Sequence, residues 1–153
     1  MIGEVSEHYP KIPAVRDEIA LELRDVQTAN RVHGVSLTVH RGEVLGLGGV
    51  LGSGRTEIAR AIFGVDRLTA GEIRVAAATV KPGSPQDAEA AGIALVPENR
   101  KSDGLFFNFA GLENISVAKL DRLGSPVAMN LGLERALCRA LIAKLEVTPA
   151  AEI

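Results

Sequence analysis

Gly49-Val-Leu-Gly-Ser-Gly-Arg-Thr56 is the stretch on which the reading of the whole chain turns. It matches G-x-x-x-x-G-[K/R]-[S/T], a phosphate-binding loop with arginine where lysine is usual. Glycines let such a loop curl, so that consecutive backbone N–H groups can face phosphate oxygens. A helix beginning near Gly54 adds its positive N-terminal end. Arg55 sets a cation beside the outer phosphates, and Thr56 offers a hydroxyl to a magnesium ion. Arginine is planar, longer and forked, so it sits differently from lysine. Phosphate binding is expected to survive the exchange and hydrolysis to suffer.

The flanks support this reading. Glu43-Val-Leu-Gly-Leu-Gly48 is almost wholly apolar, the pattern of a strand buried on both faces. After the loop, Ile58, Ala59, Ile62 and Phe63 mark one face of a helix over Thr56–Phe63, with Gly64 as its C-terminal cap. Buried strand, glycine loop and amphipathic helix are the context the motif requires. The alternative is a glycine-rich turn that serves only tight strand–helix packing. A dinucleotide fingerprint fails: Gly46-Leu-Gly48 begins one, but Leu51 takes the place of its last glycine.

Further out, Ala20–Val26 and Val35–His40 alternate apolar and polar residues, as half-buried strands do. These two strands feeding a buried one predict an antiparallel flap beside a parallel core. Ile73-Arg-Val75 and Thr79-Val80 read as a hairpin. Ser84-Pro-Gln-Asp87 opens a short helix by serine capping, with proline in the first turn, and Gly92 closes it. Ile93-Ala-Leu-Val96 reads as a second core strand, and Pro97–Gly104 as a charged turn. Leu112–Ala118 predicts a short helix and Gly124–Asn130 a loop. Leu133, Leu137, Leu141 and Leu145 fall four apart, which predicts an amphipathic helix over 131–146. Residues 1–19 read as a linker or tail, leaving 20–153 as the folded part.

Composition narrows the function classes. The chain has 153 residues, 46% hydrophobic and 24% charged, with a net charge of −2. That balance argues against nucleic acid as a partner, which needs a concentrated basic surface. No apolar run approaches the ~20 residues of a membrane span, and Met1–Lys11 lacks the apolar core of a signal peptide. The single cysteine, Cys138, fits a reducing compartment and reads as a small buried hydrophobe. His8, His33 and His40 have no metal-ligand spacing.

Val35–Phe63 (VSLTVHRGEVLGLGGVLGSGRTEIARAIF) resembles the second nucleotide-binding domain of the bacterial ABC ATPases that import ribose, galactose and xylose. Asp66–Val75 (DRLTAGEIRV), Ser84–Asp87 and Ala94–Leu105 (ALVPENRKSDGL) continue the likeness, and the Gly-Arg-Thr loop is typical of that second domain. Met1–Glu4 with Tyr9-Pro10 resembles the linker between the two ATPase domains. The resemblance implies an α/β fold: part of a P-loop NTPase (RecA-like) ABC core, an antiparallel β subdomain and the start of a helical subdomain. It implies ATP and Mg2+ as cofactors, with Gly49, Gly52, Ser53, Gly54, Arg55, Thr56 and Glu57 as the nucleotide-binding set. Glu98 falls at the Q-loop position, where it would serve catalysis and, with Thr56, the magnesium ion. The stacking aromatic expected before Val35 is missing from Thr28–His33. His33 or Arg31 could stack instead, a plain loop is the alternative, and weak base recognition is expected.

The resemblance further implies a first ATPase domain, a transmembrane permease and, indirectly, a periplasmic sugar-binding protein as partners. It implies a cytoplasmic location, peripheral on the inner face of the plasma membrane. The family's Leu-Ser-Gly-Gly signature, Walker B strand and switch histidine are expected beyond Ile153. The chain alone is therefore expected not to hydrolyse ATP. The competing reading is a non-catalytic structural or regulatory module docked on a partner ATPase domain. A small kinase or GTPase is disfavoured, because the chain has no Asn-Lys-x-Asp motif.

Overall fold

In the computed structural model, residues 14–125 and 128–147 are described. Residues 1–13 of the expected linker and the Thr148–Ile153 tail lie outside them. The chain divides into two compact units, Met1–Leu95 and Val96–Ile153.

The first unit is built on an antiparallel sheet of four strands: β1 (Ile19–Thr28), β2 (Val35–His40), β3 (Leu68–Val75) and β4 (Ala78–Val80), ordered β2-β1-β3-β4. The apolar residues of β1 change parity along the strand: Leu21 and Leu23 are odd-numbered, and the buried Val26 is even. A β-bulge reconciles them. Arg24 and Asp25 together face Ser36 on one side, and Asp25 and Val26 together face Gly71 on the other. Asp25 takes a left-handed φ of 47°, and its N–H donates to Ser36 Oγ at 2.9 Å. At Gly71 a Cβ would overlap the Asp25 carbonyl, so only glycine fits opposite the bulge. The extra residue turns Val26 back onto the face of Leu23. Leu23, Val26, Val32 and Ile73 then form a fully buried cluster.

Helix α1 (Arg55–Ile62) lays Ile58 and Ile62, one turn apart, against this cluster. It ends in a Schellman closure: Val65 N–H donates to Arg60 O and Gly64 N–H to Ala61 O. The Arg60 guanidinium grips Asp66 with two hydrogen bonds, at 3.0 and 3.2 Å. Helix α2 (Pro85–Ala90) starts as expected, with Ser84 Oγ accepting from Asp87 N–H.

Two expected strands are absent. Glu43–Gly48 and Ile93–Val96 carry no strand pairing, and Val44 is 97% and Val96 88% exposed. An apolar strand of a parallel core takes its hydrogen bonds from neighbours on both sides. Among the described residues neither run has such a neighbour, and apolar content alone does not make a strand. The antiparallel flap formed because β1, β2, β3 and β4 supply one another's partners.

The second unit is helical. Asn99 Oδ1 caps a single wide turn, Arg100–Gly104, accepting from Lys101 and Ser102 N–H. Helix α3 (Gly111–Ser116) is tied to the preceding loop by Asn114, whose amide bonds Phe106 through both its N–H and its C=O. A short 3-10 turn, Val117–Arg122, leads to a two-residue hairpin of β5 (Gly124–Ser125) and β6 (Ala128–Met129) where a plain loop was expected. Helix α4 (Leu131–Lys144) then packs on α3. Its buried face is centred on Glu134 and Cys138 and flanked by the half-buried Leu137 and Leu141, while Leu133 and Leu145, at the two ends of the four-apart leucine stripe, are exposed. Burial, and then the Glu134 carboxylate, push the Cys138 thiol above its ordinary pKa. No helix among the described residues is long and apolar enough to cross a membrane.

Candidate functional site

The candidate loop hangs between the edge strand β2 and helix α1. Its entrance is fixed by the turn after β2. Gly42 takes a φ of 75°, and Glu43 folds back on His40. The Glu43 carboxylate accepts the His40 backbone N–H at 2.6 Å and lies 3.2 Å from the imidazole Nδ1. These contacts, the backbone one first, hold Glu43 below the usual carboxylate range. Its exit is fixed by α1, whose apolar face is buried on the sheet.

Between those anchors, Gly52 and Gly54 adopt left-handed φ values of 79° and 90°. Ser53 N–H donates to Val50 O at 3.1 Å and closes a turn. A Cβ on Gly49 would overlap Ser53 Oγ and would lie 3.7 Å from Arg55 Cδ. The loop is therefore curled tightly enough to need Gly49. Gly54 caps α1, and its carbonyl accepts from Ile58 N–H at 2.9 Å. An α-helix leaves its first-turn N–H groups outside its own ladder, where they attract an anion. Arg55, Thr56 and Glu57 are the first three residues of α1. Arg55 and Thr56 are exposed there, and Glu57 is half-buried.

The left-handed glycines, the helix start, one cation and one hydroxyl are the parts a phosphate group needs. They fit a nucleotide's phosphates. They do not by themselves form a cage for a metal. No group of three or more His, Cys, Asp or Glu side chains suited to a metal ion occurs among the described residues. A magnesium ion here would be carried mainly by phosphate oxygens and water, with Thr56 as a protein ligand. Glu98, the other expected ligand, is an exposed residue of the second unit, directly before the Asn99 cap.

One neighbour of the loop was named from sequence only as a possible stacking residue. Arg31 Nη1 lies 3.4 Å from Glu57 Oε1 and 3.9 Å from where a Gly52 Cβ would stand. A pairing across 26 residues leaves no local signal in the sequence. His33 is exposed, and no ring contact involving it is found among the described residues. Val50, Leu51, Gly52 and Ser53 are exposed, so this part of the loop lies at the surface.

Comparison with known proteins agrees with this picture. A sequence model of the family described as ABC transporter matches residues 32–148. The chain is 40% identical over 148 residues to the ribose import ATP-binding protein RbsA 2 of Streptomyces avermitilis, covering 96% of this chain and 29% of that protein. It is 36% identical over 148 residues to the ribose import ATP-binding protein RbsA of Chromobacterium violaceum, covering 96% and 30%. It is 37% identical over 150 residues to the putative ribose/galactose/methyl galactoside import ATP-binding protein 3 of Agrobacterium fabrum, covering 97% and 30%. The chain thus spans under a third of the length of these relatives.

Proposed function

The chain belongs to the ABC transporter family, and from that membership we propose that it is the ATP-binding front portion of the second ATPase domain of a sugar importer. The observation that carries this is the curled Gly49–Thr56 loop, with left-handed Gly52 and Gly54, at the start of a helix packed on the sheet. The likeness to proteins named as ribose import ATP-binding proteins supports sugar as the cargo. In this reading Gly49, Gly52, Ser53 and Gly54 shape the cradle, and Arg55 lies against the outer phosphates. Thr56 holds magnesium, and Glu57 flanks the site. Bound ATP supplies the chemical energy. Glu98 serves as a coupling residue whose carboxylate ligates the metal or accepts a hydrogen bond from the attacking water.

Phosphoryl transfer also needs groups that orient the water and stabilise the charge leaving with the phosphate. In this reading they come from the remainder of a longer protein and from a first ATPase domain. A permease receives the conformational signal on the inner face of the membrane, and a periplasmic sugar-binding protein delivers the cargo. The chain by itself binds ATP and does not turn it over.

Calorimetric titration of the folded chain with Mg-ATP tests this. Saturable binding that disappears in Arg55→Ala or Thr56→Ala, with no phosphate release above background, is the expected result. A folded chain that gives no binding heat favours a second reading, a docking module without nucleotide. That reading draws support from the exposed apolar run around the loop, where Val44 and Leu51 are each 97% exposed. A partner domain would cover such a surface.

A further inference from the structure

We propose that Arg31 is a second phosphate-binding arginine of the loop, parked on Glu57 until a polyphosphate draws it off. This deepens the ATP-binding reading above and rests on it.

The backbone of Arg31 is fixed. The preceding turn is closed by Thr28 N–H donating to Val32 O at 3.0 Å. Val32 N–H in turn donates to Thr28 Oγ1 at 3.4 Å, and Val32 is fully buried in the sheet cluster. The Arg31 carbonyl stands 3.4 Å from where a Gly54 Cβ would be, so the turn tip lies directly against the loop. The side chain is free to move by comparison. It is 62% exposed, and its contact with Glu57, at 3.4 Å, is long for a charge-assisted bond. An exposed pair of that kind is weak and readily exchanged.

Glu57 creates the need. A carboxylate in the first turn of α1 suits the positive N-terminal end of the helix. The same carboxylate repels a phosphate arriving at that end. Arg31 screens it, and its planar fork can pair a phosphate with two parallel hydrogen bonds, which Glu57 does not receive from it here. The guanidinium already lies within 3.9 Å of the Gly52 Cβ position, at the rim of the loop. A swing from Glu57 to an outer phosphate is a change of side-chain rotamer on a fixed backbone. Two arginines, Arg31 and Arg55, then flank the phosphates in a loop that lacks the usual lysine. The ligand class is the polyphosphate tail of a nucleoside triphosphate, and the base plays no part in the contact.

The test uses calorimetry on the whole chain with three probes: inorganic tripolyphosphate, Mg-ATP and adenosine. The variants are Arg31→Ala, Arg31→Lys, Glu57→Gln and Arg31→Ala with Glu57→Gln, each checked for an unchanged circular dichroism spectrum. Arg31→Ala is expected to weaken tripolyphosphate and Mg-ATP about tenfold, the scale of one charge-assisted hydrogen bond. The loss persists in the Glu57→Gln background, is partly restored by lysine, and shrinks at high salt. An unchanged affinity in Arg31→Ala, with binding still abolished by Arg55→Ala, overturns the proposal and leaves the loop reading intact. A loss that vanishes in the Glu57→Gln background overturns it too, because Arg31 would then act only as a screen. Weakened adenosine binding would make Arg31 a base-stacking residue and would also overturn it. A folded wild-type chain that binds none of the probes overturns both readings.

Discussion

Ser116 donates its hydroxyl hydrogen to the Glu134 carboxylate across a 2.6 Å contact, and both side chains are nearly inaccessible to water. The bond joins α3 to α4 at the centre of the second unit. A buried carboxylate is costly unless it is hydrogen-bonded, so Ser116 is what makes Glu134 tolerable there. Ser116→Ala is expected to destabilise this unit by about 1–3 kcal/mol, the cost of leaving a buried acceptor unmet. Glu134→Gln, which keeps an acceptor oxygen, should cost less than Ser116→Ala. Urea unfolding followed by far-ultraviolet circular dichroism reads both. Equal midpoints for Ser116→Ala and wild type would remove the bond from the stability account.

The same pair shows where sequence reading stopped. The α4 helix was legible, and so was the burial of Cys138. Its face was legible only in part: Leu137 and Leu141 are half-buried, but no hydrophobic pattern sets a glutamate at the centre of that face. The actual face pairs Glu134 with a serine 18 residues away, and no periodicity reports that. The antiparallel flap was legible because alternation in Val35–His40 and in most of β1 is a local signal. The bulge at Asp25 was not, although the parity break between Leu23 and Val26 marks it in hindsight. The two apolar runs at Glu43–Gly48 and Ile93–Val96 read as strands on composition. A strand is a relation between segments, and the pairing they need is not found among the described residues. At the site, the loop motif and the start of α1 were local and legible, whereas the Arg31–Glu57 contact depends on the fold of the sheet.

The hairpin joining β3 to β4 carries avoidable strain. Ala76 and Ala77 sit at its two central positions with φ values of 47° and 69°. Left-handed backbone costs a non-glycine residue about 1–2 kcal/mol. Two-residue hairpins of this hand favour Asn-Gly. Replacing Ala76 by asparagine and Ala77 by glycine is expected to stabilise the first unit by about 1 kcal/mol, after allowing for the entropy glycine adds to the unfolded chain. Thermal unfolding of the double variant measures it, and a lowered midpoint would mean that Ala76 and Ala77 carry no strain that asparagine and glycine relieve.

Acid should loosen the sheet of the first unit. Glu43 is held below its usual carboxylate value of 4.5 by His40 N–H, and Glu72 by the Thr79 hydroxyl and then by Arg74. A carboxylate whose folded pKa is depressed stabilises the fold above its unfolded value, and that contribution fades as pH falls through the folded value. The first unit is therefore expected to keep its midpoint above pH 4.5 and to lose stability progressively below it. Both groups are half-buried at the surface and within reach of water, so the effect is modest and shrinks with salt. Glu43→Gln with Glu72→Gln should flatten the acid limb of a denaturation series taken from neutral pH downward. An acid limb as steep as that of wild type would assign the loss to other groups.

The exposed run beside the loop has its own consequence in solution. Val44 and Leu51 are 97% exposed and Val50 is 79% exposed, and Glu43–Gly48 is not paired in a sheet among the described residues. An apolar segment with open backbone groups is a template for pairing with another chain. The isolated chain is expected to elute larger than a monomer in size-exclusion chromatography, by an amount that grows with concentration. Lysine blunts such edges, so Val44→Lys should return the chain toward the monomer. Leu145→Lys, at a position 68% exposed in the second unit, should leave the association unchanged. If both variants elute as wild type does, the association runs through another surface. If the wild-type chain stays monomeric at every concentration, the run does not pair at all.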